Sequence, residues 1–123
     1  NVTVIGTAGS DTITHTPGVA TNQGNFRVNN LMALNYQNLG AGSTLTADGG
    51  TAGTDTLAVG GTGSNDAFAV ASVSGAVTLN NRLAIGQTSM ENLSLDGLDG
   101  DDAFTIAGTS PYAAISVSGQ VGT

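Results

Sequence analysis

The nine residues DGLDGDDAF (96–104) hold four aspartates, Asp96, Asp99, Asp101 and Asp102, and no cation. Carboxylates crowded in this way have three chemical uses. They can ligate a divalent ion such as calcium, which takes six to eight oxygens at roughly 2.3–2.6 Å. They can pair as acid and base in glycoside hydrolysis. Or each can accept backbone N–H bonds at a turn and set the direction of the strand that follows. Carboxylates this close repel one another unless water or a metal screens them.

The same device recurs along the chain. GTAGSDTIT (6–14), GTAGTDTLA (50–58), GTGSNDAFA (61–69) and GLDGDDAFT (97–105) each begin on glycine and carry an aspartate five residues later, at Asp11, Asp55, Asp66 and Asp102. A small residue follows each aspartate, then an apolar one: Ile13, Leu57, Phe68 and Phe104. Longer stretches repeat as well. FRVNNLMALNYQNL (26–39) matches VTLNNRLAIGQTSMENL (77–93), aligning Asn29-Asn30 with Asn80-Asn81. LTADGGTAGTDTLAV (45–59) matches LSLDGLDGDDAFTI (93–106), aligning Asp48 with Asp96. Self-similarity of this kind marks a repeat architecture. A single all-β repeat domain over 1–123 is expected, with units at about 4–59 and 60–107. Residues 108–123 are expected to open a further repeat or add a terminal strand. The second unit is shorter because HTPGVATNQGN (15–25) contracts to ASVSGA (71–76), and such insertions belong in loops.

The pattern G-x-x-G-x-D-x-U-x at 50–58 and 97–105, and more loosely at 6–14, resembles the calcium-binding nonapeptide of RTX proteins. That resemblance implies calcium as a cofactor. It implies Asp55 and Asp102 as carboxylate ligands, Asp99 and Asp101 beside them, and the carbonyls of Gly50, Gly53, Gly97 and Gly100 as partners. RTX nonapeptides run in tandem, whereas these windows start 44, 11 and 36 residues apart, and Thr51 and Leu98 replace the second glycine. The alternating segments GTAGSDTIT, ENLSLDG and GDDAFTI also resemble repeat regions of very large secreted bacterial surface proteins of planctomycete type. That resemblance covers nearly the whole chain. It implies an extracellular structural or adhesive array and no reaction.

Composition narrows the field. There is no cysteine and no lysine, and Arg27 and Arg82 are the only cations. With nine carboxylates the net charge is −7 and the pI about 4.1. Such a surface repels phosphate backbones and anionic lipid, so neither nucleic acid nor membrane is expected as a partner. No apolar run reaches the 18 residues or so of a transmembrane helix. The chain opens directly on the strand-like NVTVIG and reads as a mature or excised segment. Hydrophobic residues make up 39%, too many for a disordered acidic tail, while 19 glycines and 4% aromatics favour short strands and tight turns.

Strands are expected at 2–5, 11–15, 26–29, 31–36, 44–47, 55–59, 66–73, 76–79, 83–86, 92–95, 102–107 and 113–117 from alternation of apolar and polar residues. The repeat logic favours a β-solenoid, parallel β-helix-like, over a β-sandwich, because small inward residues suit thin stacked coils. A carbohydrate-active β-helix would need cations or aromatic platforms that the chain scarcely has. No G-x-S-x-G elbow occurs. The single histidine, His15, falls in the long insertion and reads as a loop residue rather than a base. Tyr36 and Tyr112 read as half-buried rings, Arg27 and Arg82 as partners of nearby aspartates, and the two Asn-Asn pairs as tight turns or a stacked ladder. No enzyme is expected. The expectation is a structural or adhesive module at the bacterial cell surface, joined to further copies in a filament or homo-oligomer, or to neighbouring repeats of a longer polypeptide.

Overall fold

The computed structural model describes residues 1–120, and among these the chain forms twelve short strands and no helix. In order they are β1 (Val2–Ile5), β2 (Thr12–Pro17), β3 (Gly24–Val28), β4 (Leu34–Tyr36), β5 (Leu45–Asp48) and β6 (Thr56–Gly60). Then come β7 (Ala67–Val70), β8 (Val77–Leu79), β9 (Ile85–Thr88), β10 (Asn92–Asp96), β11 (Ala103–Ile106) and β12 (Ala114–Ser118). Every stretch expected as a strand overlaps one. Two are half as long as expected. The 31–36 stretch keeps only β4, because Asn29 adopts φ 49° and Leu31 N–H closes a turn on Val28 O at 2.9 Å. The 66–73 stretch ends at Val70, and the chain reverses through Val73 (φ 65°) and Gly75 (φ 67°). Residues 121–123 of the expected terminal segment lie outside the described residues.

The strands build two mixed six-stranded sheets, one ordered β1-β5-β9-β8-β7-β11 and the other β12-β10-β6-β2-β3-β4. Parallel pairs are β1–β5, β5–β9, β7–β11, β2–β6, β6–β10 and β10–β12. Antiparallel pairing is confined to β2–β3–β4 and β7–β8–β9. Parallel neighbours must be joined by a long connection, here an excursion through the other sheet.

Alternation decides what is covered. In β2 Ile13 and His15 point inward, in β6 Leu57 and Val59, and in β10 Leu93 and Leu95; all six are buried. Register stacks them in columns, Ile13–Leu57–Leu93–Ile115 and His15–Val59–Leu95. Phe68 and Phe104 stack in the same way between β7 and β11, their ring centroids 5.0 Å apart and their planes within 13°. One apolar core draws on both sheets, joining Leu45, Ala47 and Ile85 of the first to Ile13, Leu57 and Leu93 of the second.

Candidate functional site

The aspartates occupy the corners where the chain passes from one sheet to the other. Between β1 and β2, the Asp11 carboxylate accepts from Thr7 N–H at 2.6 Å, from the Thr7 hydroxyl at 3.0 Å and from Asn29 Nδ2 at 2.5 Å. Asn29 in turn accepts at Oδ1 from Thr12 N–H at 2.8 Å, so the asparagine ties the corner to the first residue of the strand. Burial alone would raise the Asp11 pKa, but the Thr7 N–H, Thr7 hydroxyl and Asn29 amide together hold it below the usual aspartate value. The glycine at the start of the corner has a steric reason. A Cβ on Gly6 would lie 2.7 Å from Asp11 Oδ2 and 2.9 Å from Gly49 O.

Each bond recurs at the corner between β6 and β7. The Asp66 carboxylate accepts from Thr62 N–H at 2.6 Å, the Thr62 hydroxyl at 3.1 Å and Asn80 Nδ2 at 2.7 Å. Asn80 Oδ1 accepts from Ala67 N–H at 2.8 Å, and Asn80 shares the positive φ of Asn29, 52° against 49°. A Cβ on Gly61 would meet Asp66 Oδ2 and Gly97 O, both at 2.7 Å. The two Asn-Asn pairs therefore build turns that grip an aspartate, and not a stacked ladder. The matching strands lie in opposite sheets: β2, β3 and β6 belong to one, and their counterparts β7, β8 and β11 to the other.

Successive corners are joined by carboxylate-to-backbone rungs. Asp11 N–H donates to Asp55 Oδ1 at 2.7 Å, and Asp55 N–H donates to Glu91 Oε2 at 2.7 Å. In the second column Asp66 N–H donates to Asp102 Oδ1 at 2.9 Å. Glu91 was not among the expected site residues. Its signal is the β6–β10 register, which pairs Thr56 with Asn92 and so sets Glu91 opposite Asp55.

The four expected metal ligands are divided by this arrangement. Asp55 is buried in the first column, Asp102 stands in the second, and Asp99 and Asp101 are exposed on the corner before β11. Among the described residues no three His, Cys, Asp or Glu side chains come together as a metal-holding group. Asp102 is nonetheless distinctive, because its Oδ2 is buried without a hydrogen-bond partner. Asp11 and Asp66 have Thr7 and Thr62 four residues earlier to fill that role, whereas Asp102 has Leu98.

His15 is not a loop residue. It lies on β2, 3% exposed, because its place in the alternation is inward and the β3–β4 hairpin closes over it. Its Nε2 meets Tyr36 Oη at 2.8 Å, the Phe26 ring sits 4.9 Å away, and Nδ1 is buried without a partner. Burial, with a smaller contribution from the charge of Arg82, lowers its pKa to about 4. Burial also raises the Tyr36 phenol, and it pushes Tyr112 up to about 12, where the hydroxyl donates to Gly75 O at 2.6 Å. The bonds made by the two arginines go to carbonyls and not to the aspartates expected. Arg27 Nε donates to Leu31 O at 2.9 Å, and Arg82 donates to Gly18 O and Ala20 O, both at 2.8 Å.

Concavities mark the surface of the described residues. One of about 300 Å³ lies beside Arg82, and one of about 270 Å³ lies beside Tyr36. A third of about 140 Å³ lies at the corner between Gly50 and Glu91. Comparison with protein-family models, curated proteins and solved structures finds no match for this chain.

Proposed function

We propose that the chain is a non-enzymatic, extracellular structural or adhesive module whose two sheets are walls of a β-solenoid, and that it assembles end to end. The observation that carries this reading is the ladder of corner rungs, Asp11 to Asp55 to Glu91 and Asp66 to Asp102, running beside strands paired parallel and in register. Each rung joins residues 36 or 44 positions apart, about one coil of chain. A β-sandwich is the rival architecture for two mixed sheets. The carboxylates in this ladder serve as acceptors for backbone and amide N–H groups, which suits construction better than proton transfer. The likeness to repeat regions of large secreted bacterial proteins points the same way.

Assembly follows from the edges. Among the described residues β1, β11, β12 and β4 each pair on one side only, leaving rows of unspent N–H and C=O groups. Ile5 on β1, Ile106 on β11 and Val117 on β12 are 62%, 40% and 45% exposed, apolar side chains placed on those edges. A second copy, or the next repeat of a longer chain, would cover both. The expected result is a mass that rises with concentration in analytical ultracentrifugation, with filaments in negative-stain images. Ile106→Lys with Val117→Lys should return the protein to monomer. A monodisperse monomer at every concentration would sink the reading.

Calcium binding is a second reading, favoured by the unpartnered Asp102 Oδ2 beside exposed Asp99 and Asp101. A ligand held only by the folded state raises its melting temperature. On this reading, millimolar calcium should raise the melting temperature by several degrees over chelator in the wild type and not in Asp102→Ala. An unchanged melting temperature in the wild type returns these aspartates to turn duty alone.

A further inference from the structure

We propose that the face formed by the β3–β4 hairpin and the loop at 18–23 is a binding site for a neutral oligosaccharide. The proposal extends the adhesive part of the reading above and does not depend on assembly.

The chemistry of this face differs from the rest of the molecule. The stretches TNQGN (21–25) and NYQN (35–38) are rich in primary amides, and the Asn25–Asn35 register of β3 and β4 brings them side by side. The cavity of about 270 Å³ is lined by Gln23, Asn25, Asn35 and Gln37 together with Tyr36. Across the loop, Asn22 and Asn81 line the cavity of about 300 Å³, with Leu39 and Leu83 in its wall. No carboxylate lines either cavity, in a chain whose net charge is −7. A primary amide offers one acceptor and two donors. That matches a pair of neighbouring sugar hydroxyls, each of which donates and accepts. Ligand sites are concave, with a few convergent polar groups and apolar or aromatic surface.

The face is also held in shape before any ligand arrives. Arg82 clamps the loop through Gly18 O and Ala20 O. Gly18 N–H donates to Gln23 O at 2.9 Å, and with the Gln23 amide turned so that its oxygen faces the loop it accepts from Val19 N–H and Ala20 N–H at 2.9 and 2.8 Å. The Tyr36 ring is fixed by the His15 bond and packs so closely on Gly24 that a Cβ there would lie 2.7 Å from the phenol oxygen. Preorganisation of this sort lowers the entropic cost of binding.

The internal duplicate supplies the control. The equivalent β7–β8 hairpin turns through Ala71–Ala76 with no amide side chain, and its corner at Asp66 forms with the same bonds as the corner at Asp11. The hairpin and corner therefore form without the amides of TNQGN, and the counterpart of β4, β9, keeps one amide, Gln87, where the first unit carries Asn35, Gln37 and Asn38.

The test is an NMR titration of dilute 15N-labelled protein with cellotetraose, chitotetraose and maltotetraose, and with tetragalacturonate as the charged comparison. At least one neutral tetraose should shift the side-chain NH2 signals of Asn35 and Gln37 and saturate with a dissociation constant on the order of 0.1–1 mM. The double variant Asn35→Ala/Gln37→Ala should weaken binding at least about tenfold at unchanged melting temperature, since both residues are exposed. Three results would each overturn the proposal: no neutral sugar shifting these signals at about 10 mM, shifts mapping to another face, or tetragalacturonate binding as tightly as the neutral sugars. Loss of concentration-dependent assembly with sugar binding intact would count against the filament and leave this site standing.

Discussion

Replacing Asp66 by alanine is expected to cost about 3–5 kcal/mol of stability, one of the largest effects of any single corner change. Asp66 is 3% exposed, and its carboxylate is the acceptor for Thr62 N–H, the Thr62 hydroxyl and Asn80 Nδ2. These donors are only partly buried, so each one stranded by the substitution costs at most about 1–3 kcal/mol, less whatever water recovers. For a domain of this size the melting temperature should fall by about 10–20 °C. Asp99→Ala, on an exposed turn, is the control and should stay within about 0.5 kcal/mol of wild type. Asn80→Ala should cost less than Asp66→Ala, and the two should be non-additive because they remove one shared bond. Chemical denaturation of the wild type, the three single variants and the Asp66→Ala/Asn80→Ala double variant measures all of this. Equal stabilities for Asp66→Ala and Asp99→Ala would show that the corner is not held by its carboxylate.

The second large effect is acid lability from His15. In the unfolded chain this histidine takes up a proton near pH 6.5, but in the folded protein not until about pH 4. Between those values the unfolded state binds more protons, so stability falls as pH falls, and the loss is complete near pH 4. The gap corresponds to about 3 kcal/mol. The cause is visible: a charged imidazole would sit in an apolar column, with Phe26 and Tyr36 packed against it, Nδ1 lacking a partner and Arg82 opposing the charge. Urea denaturation between pH 7.5 and pH 4 should show the loss in the wild type and a much shallower slope in His15→Gln. Identical slopes would mean that another group titrates. Asp11 acts at lower pH and with the same sign, although there it is the charged form that the fold favours. Its folded pKa is lowered, so its contribution is present above the ordinary carboxylate value and is lost as pH falls through the folded one.

These two sites differ in how much of them can be read from residues alone. The corner is local. Gly6, Thr7 and Asp11 lie within six positions, and the side chain of Asp11 bonds the backbone four residues before it. Glycine, threonine and aspartate at those spacings carry their geometry with them, so the turn function of the aspartates was legible, as was the twelve-strand pattern. The partner of each corner was not. That Asp55 receives Asp11 N–H from 44 residues away, and that a glutamate completes the column at Glu91, depends on which parallel strands lie side by side. His15 was misread for the same reason. Its neighbours in sequence, Thr14 and Thr16, describe an ordinary polar stretch, and only the hairpin that closes over β2 makes it buried.

Alternating polarity and recurrent Gly-Asp turns thus determined by themselves that this protein is all-β, where its strands run and where it reverses, because those preferences act within one turn of backbone. The tertiary structure alone decided which corners stack, that equivalent strands of the duplicated pattern fall in opposite sheets, and that a histidine is sealed in the core. Strand alternation specifies two faces without naming the one that will be covered, and that choice belongs to partners tens of residues away.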